Sequence, residues 1–183
     1  MTANPANQAP IIPSTSEIHA AILKRFNETE QAVFGSANPN TGSFRSWLLA
    51  QRDAGADSGS QFPPIQKDEV QKGTPEPRVS LSVGVGRESG KTSQRTATNG
   101  REVKVTFYRT PIQIKCVSRT DTQADSVITK ACSWIEEKNL EVCGGQKFVY
   151  LFRNAIPISL KEGDELYSTT AIYMILTETE TYL

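Results

Sequence analysis

The sequence predicts an α+β fold: a mixed, mostly antiparallel sheet with two helices packed on it, a proline-rich N-terminal arm and a long inserted loop. Two observations carry that prediction. Two segments place apolar residues at helical spacing behind N-terminal capping signals. Several others alternate apolar and polar residues with a period of two, and a polar stretch between two of them reads as the tip of a long hairpin.

The elements follow in order. Residues 1–13, with Pro5, Pro10 and Pro13, form an arm that cannot be helical throughout. Residues 14–183 read as a single domain, a length that supports one modest core. Ser14 and Glu17 have capping-box spacing, and Ile18, Ile22, Phe26, Thr29 and Val33 continue one helical face until Gly35 stops it. His19 lies beside that stripe, the position of a solvated histidine. Residues 35–77 are rich in Gly, Pro, Ser and Asn and read as an inserted loop. Within it a short helix from about Ser43 to Arg52 carries Phe44, Trp47 and Leu48 on one face, which predicts a docking segment for a partner.

From Arg78 the period changes. Val79, Leu81, Val83 and Val85 alternate with small polar residues, then Val103, Val105 and Phe107 form a second run. Past Thr110-Pro111 the apolar parity shifts to Ile112, Ile114 and Cys116, which predicts a bulge or break at the proline. Thr120 and Gln123 open a second helix with the stripe Ala124, Val127, Ile128, Ala131 and Ile135; Trp134 lies off its centre, an edge-of-core position. "KFVYLFR", the shorter run "AIPISL", a turn at "LKEGDEL" and "STTAIYMILTETETYL" complete the sheet.

"GVGRESGKTSQ", residues 84–94, ends as a phosphate-binding loop does, in Gly90-Lys91-Thr92. Such a loop needs four residues between its first glycine and its Gly-Lys-Thr, and a helix after it. Here Val85 holds that glycine position, and the "SQRTATNGRE" that follows has no helical period. Residues 87–100 therefore read as a polar hairpin loop. Cys116, Cys132 and Cys143 lack metal-ligand spacing and the lone His19 is far away, so they read as buried, reduced thiols. No paired-carboxylate, nucleophile-elbow or metalloprotease signature is present, so no enzyme, metal or cofactor is expected. No apolar run approaches the ~18 residues of a membrane span, and the N-terminus does not read as a secretory signal.

What remains is charge. The whole chain is neutral, with 20 basic and 20 acidic residues, which argues against a dedicated, sequence-specific nucleic-acid binder. Yet Arg87–Arg119 holds eight basic residues against two glutamates, and Glu136–Leu183 holds eight acids against four bases. Arg87, Lys91 and Arg95 on one protomer thus predict a contact with Glu162, Asp164, Glu165, Glu178 and Glu180 on the next, in a head-to-tail assembly.

The segments "REVKVTFYRTPIQIKCVSRTDTQADSVITKACSWIEEKNL" and "FRNAIPISLKEGDELYSTTAIYMILTETETY" resemble the tail-terminator (tail-completion) proteins of long-tailed bacteriophages. The likeness covers about residues 78–183, and the helix over 18–34 more loosely; the arm and the 35–77 insertion depart from the compact form of that family. It implies a virion protein without cofactor that forms a ring, typically a hexamer, on the tail tube. The ring would stop tube polymerisation, offer a surface to neck and head-completion proteins, and let DNA pass through. Synthesis and assembly would take place in the host cytoplasm. Head-completion and neck connector proteins of a virion use similar small modules and are the alternative, with a nucleotide-binding enzyme a more distant one.

Overall fold

Helix α1 (Thr15–Asn27) begins where the side-chain chemistry demands it. The Ser14 hydroxyl accepts from the Glu17 amide at 3.2 Å, and the Glu17 carboxylate accepts from the Ser14 amide at 2.7 Å. Ile18, Ile22 and Phe26 form its buried face. The helix does not run to Gly35 as the spacing predicts. Glu28 is extended, and the Thr29 hydroxyl accepts from the Ala32 amide at 3.3 Å, so Thr29 caps a new helix, α2 (Glu30–Phe34). A threonine that bonds local backbone this way competes with helix continuation. Gly35 then closes α2 at φ +68, a left-handed conformation that glycine adopts without strain.

The structure is a computed structural model, and it describes residues 13–35, 42–52, 63–68, 74–96, 99–138, 140–142, 146–147, 150–162 and 166–182. The N-terminal arm, apart from the buried Pro13, lies outside the described residues. The insertion supplies α3 (Phe44–Ala50) and a short strand, β1 (Ile65–Lys67). The remaining elements are β2 (Arg78–Val83), β3 (Arg87–Thr96), β4 (Glu102–Ser118), α4 (Asp121–Glu136), β5 (Glu141–Val142), β6 (Gln146–Lys147), β7 (Tyr150–Glu162) and β8 (Leu166–Tyr182).

The main sheet has six strands. Its order is β1-β2-β4-β8-β7, with β3 pairing β4 beyond the end of β2. Only β1–β2 is parallel. The protein is therefore α+β, with a mixed, mostly antiparallel sheet and helices against one face. β4 is the spine: β8 lines one edge along its whole length, and β2 and β3 share the other.

The break expected at Thr110-Pro111 is absent. The β4–β8 register runs without interruption from Val103↔Tyr182 to Ser118↔Tyr167. The parity shift is instead a change of buried face along one strand. Ile112, Ile114 and Cys116 join the core under the helices, whereas Val103 and Val105 point the other way and are buried outside that core. Pro111 fits because the β2 and β3 pairings stop on either side of it, at Ile112 and Arg109. The runs "KFVYLFR" and "AIPISL" do not form separate strands either. From Tyr150 onward they merge into β7, which absorbs the mismatch in two register shifts around Ala155.

The core lies between the helices and the sheet. Val79, Leu81, Ile112, Ile114, Ala171, Tyr173 and Ile175 meet Ile18, Ile22, Phe26, Val127, Ile128 and Ile135. Trp134 belongs to this core, not to its edge. It is 2% exposed and stands T-shaped against Phe34 at 4.8 Å between ring centroids, a contact that the break after α1 makes possible. At the start of α4 the Thr120 hydroxyl accepts from the Gln123 amide at 3.2 Å. The Gln123 side chain does not complete the box. Ser118 donates to it, and its own amide group donates to the Gln51 carbonyl at 3.4 Å, joining α4 to the end of α3.

Candidate functional site

Beyond the helix-covered core the sheet continues as a three-stranded arm of β3, the first half of β4 and the end of β8. The segment 87–100, expected as a loop, is mostly strand: β3 pairs with β4 from Arg87↔Arg109 to Thr96↔Glu102. The pairing needs no apolar residues because β3 is an edge strand, exposed except at the half-buried Ser89. Charged and polar side chains are what such an edge tolerates in solvent.

Gly90-Lys91-Thr92 does not form a phosphate-binding loop. Gly90, Lys91 and Thr92 lie within β3, and no helix follows them. Between Glu88↔Tyr108 and Thr92↔Thr106 the register shifts, with Ser89, Gly90 and Lys91 set against Phe107 alone. Gly90 at φ +71 serves this bulge. The glycine is a feature of strand geometry.

Arg87, Lys91 and Arg95 are all exposed on β3. Arg87 stands directly across from Arg109 on β4, two like charges in a cross-strand pair that is unfavourable by itself. Neither arginine forms an ion pair among the described residues. Their strands border a groove of about 540 Å³ on the face away from the helices, floored by Val85, Pro111 and Met174. Val85 is 74% exposed. The groove exists because the chain leaves β4 between β2 and β3. There the Gly84 amide donates to the Pro111 carbonyl at 2.8 Å, so close that a Cβ on Gly84 would lie 2.6 Å from Pro111 Cγ.

The expected acidic complements divide. Asp164 and Glu165 lie outside the described residues, in the three-residue connection between the paired Glu162 and Leu166. Glu178 and Glu180 sit in register with Phe107 and Val105 of the same chain. Basic β4 and the acidic end of β8 are thus neighbours within one protomer, so the sequence-level charge separation overstates what is free for a second copy. β4 and β8 are far apart in sequence, and their pairing is what removes it.

Phe44, Trp47 and Leu48 are not a free docking face. Phe44 and Leu48 are fully buried in this chain's own core, and Trp47 packs partly buried against it. Phe44 lies 4.7 Å from Phe26 and 6.2 Å from Trp134 between ring centroids. The apolar spacing inside the insertion is real; α1 and α4 are its partners.

His19 is likewise not solvated. It is 9% exposed, and its Nε2 is buried without a hydrogen-bond partner. Burial, reinforced by Lys67 and opposed by Asp68, holds it below the usual imidazole pKa. Both charged residues come from the strand β1 and its end, which sequence periodicity does not reveal at three residues. Cys116 and Cys132 are buried free thiols, with burial pushing Cys116 up to about 12; Cys143 lies outside the described residues. Tyr173 donates to the Glu136 carboxylate at 2.6 Å, and burial first, then Cys132 and Glu136, raise its phenol far above the ordinary range. Among the described residues no cluster of His, Cys, Asp and Glu is placed to hold a metal. No helix among them is long and apolar enough to cross a membrane.

No protein-family model and no curated protein matches this chain. Among solved structures it is similar to a chain from the "Virion of native gene transfer agent (GTA) particle". The identity is 11% and the TM-score 0.45, over 89% of this chain and 96% of that one.

Proposed function

We propose that this protein is a structural subunit of a virion, which forms a ring on the end of a tail tube, ends its polymerisation and presents a joining surface to neck and head-completion proteins. The supporting observation is the arm: a basic edge strand carried past the core on β4 and β8, where it faces outward. The tail-terminator resemblance of residues 101–140 and 152–182 supplies the virion setting. In this reading the protein has no catalytic role and no cofactor, and its partners are further copies of itself, the tube protein and the neck.

Sedimentation velocity of the purified protein over a wide concentration range tests the self-assembly. A discrete ring-sized species is expected, and Lys91→Glu with Arg95→Glu should weaken it most at low salt, because exposed charges are screened over about 8 Å at physiological ionic strength. A protein that remains a single subunit at every concentration, with and without tail tubes, would contradict the proposal.

A further inference from the structure

The geometry points to the Arg87–Arg109 groove as the seat of the acidic β7–β8 turn of a second copy, in a head-to-tail contact; this deepens the ring reading and rests on it. The groove offers two kinds of chemistry side by side. Arg87 and Arg109 are opposed across neighbouring strands and lack an ion-pair partner among the described residues. A carboxylate placed between them replaces like-charge repulsion with charge-assisted hydrogen bonds. The exposed Val85 with Pro111 and Met174 beside them takes an apolar side chain.

The sequence of the turn matches that pair of demands. Glu162-Gly163-Asp164-Glu165-Leu166 brings three carboxylates and one leucine together. It cannot reach the groove of its own protomer. Leu166 and Met174 lie eight residues apart on the same strand, β8, which is roughly 26 Å at the rise of an extended chain. The contact is therefore between copies. It joins two different patches from different positions along the sheet, the kind of heterologous interface that closes into a ring when its rotation permits.

A nucleic acid is the less suitable occupant. The floor of Val85, Pro111 and Met174 is apolar, and a phosphate backbone brings no apolar group to set on it, whereas the turn brings Leu166.

Sedimentation velocity at about 50 mM and about 0.5 M salt, with circular dichroism melting as a folding control, tests the contact in the full chain. Arg87→Glu with Arg109→Glu should raise the concentration of half-assembly by about tenfold or more at low salt. Asp164→Lys with Glu165→Lys should do the same, and combining all four changes should recover most of the loss. Arg87→Gln with Arg109→Gln keeps the test valid should the glutamates disturb folding. If the arginine variants assemble like the parent with unchanged melting, the groove is not the interface, while the ring reading stands. If the four-fold variant fails to recover, the turn is not the occupant. A parent that never leaves the single-subunit state sinks both. Binding of a labelled duplex oligonucleotide that disappears in the arginine variant, with assembly intact, would assign the groove to phosphate instead.

Discussion

Phe44→Ala is expected to lower the free energy of unfolding by about 3–5 kcal/mol, the range for truncating a fully buried aromatic. Phe44 is completely buried and sits among Phe26, Trp47 and Trp134, so its removal leaves a cavity bounded by rings from three helices. Such rings are too rigid to close it. The same residue viewed as a docking anchor predicts the opposite, a stable subunit with impaired assembly. Urea denaturation of the parent and the variant decides between them. An unchanged midpoint together with lost assembly would return the α3 face to a partner. By the same reasoning, deleting residues 36–60 should unfold the subunit, because the deletion takes Phe44 and Leu48 out of the core.

Arg25→Ala is expected to cost about 1–3 kcal/mol, since it strips the buried Trp134 carbonyl and the partly buried Lys138 carbonyl of a charged donor. Arg25 is only 6% exposed although it is charged. Its Nη1 donates to the carbonyls of Lys138 at 3.0 Å and Trp134 at 3.4 Å, and its Nε lies 2.9 Å from the Glu28 carboxylate. Helix α4 has no basic residue in its own last turn, so α1 supplies the cation that its C-terminal carbonyls favour. Arg25→Lys should recover part of the loss, because an ammonium offers a charge without the planar fork. Thermal and urea unfolding of both variants provide the measurement. A loss below about 0.5 kcal/mol would place Arg25 among ordinary surface positions.

The helices were legible wherever capping chemistry and an apolar stripe coincided, as at Ser14/Glu17 and Thr120 with Val127, Ile128 and Ile135. Strand β2 and the apolar parts of β4 and β8 were equally plain, because one face of each is buried and the period of two survives. Elements that owe their state to neighbours were not. β3 is polar throughout and is a strand only because β4 offers it an edge. β1 is three residues long and is fixed by β2 alongside. The burial of His19 and Trp134 depends on β1 and on the break before Thr29, both invisible to a periodicity count. At the candidate site the basic residues of β3 were evident from composition, but Arg109 joined them only through register. Glu178 and Glu180 changed from partners in trans to neighbours in cis for the same reason.

Immunogold labelling of particles made by the strain that encodes this chain tests its assignment to a virion most directly. With antibodies against the folded protein, the account predicts gold at the head–tail junction of intact particles and at one end of free tails. Gold along the tube or over the head, or purified particles without label when the lysate is rich in the protein, would contradict it.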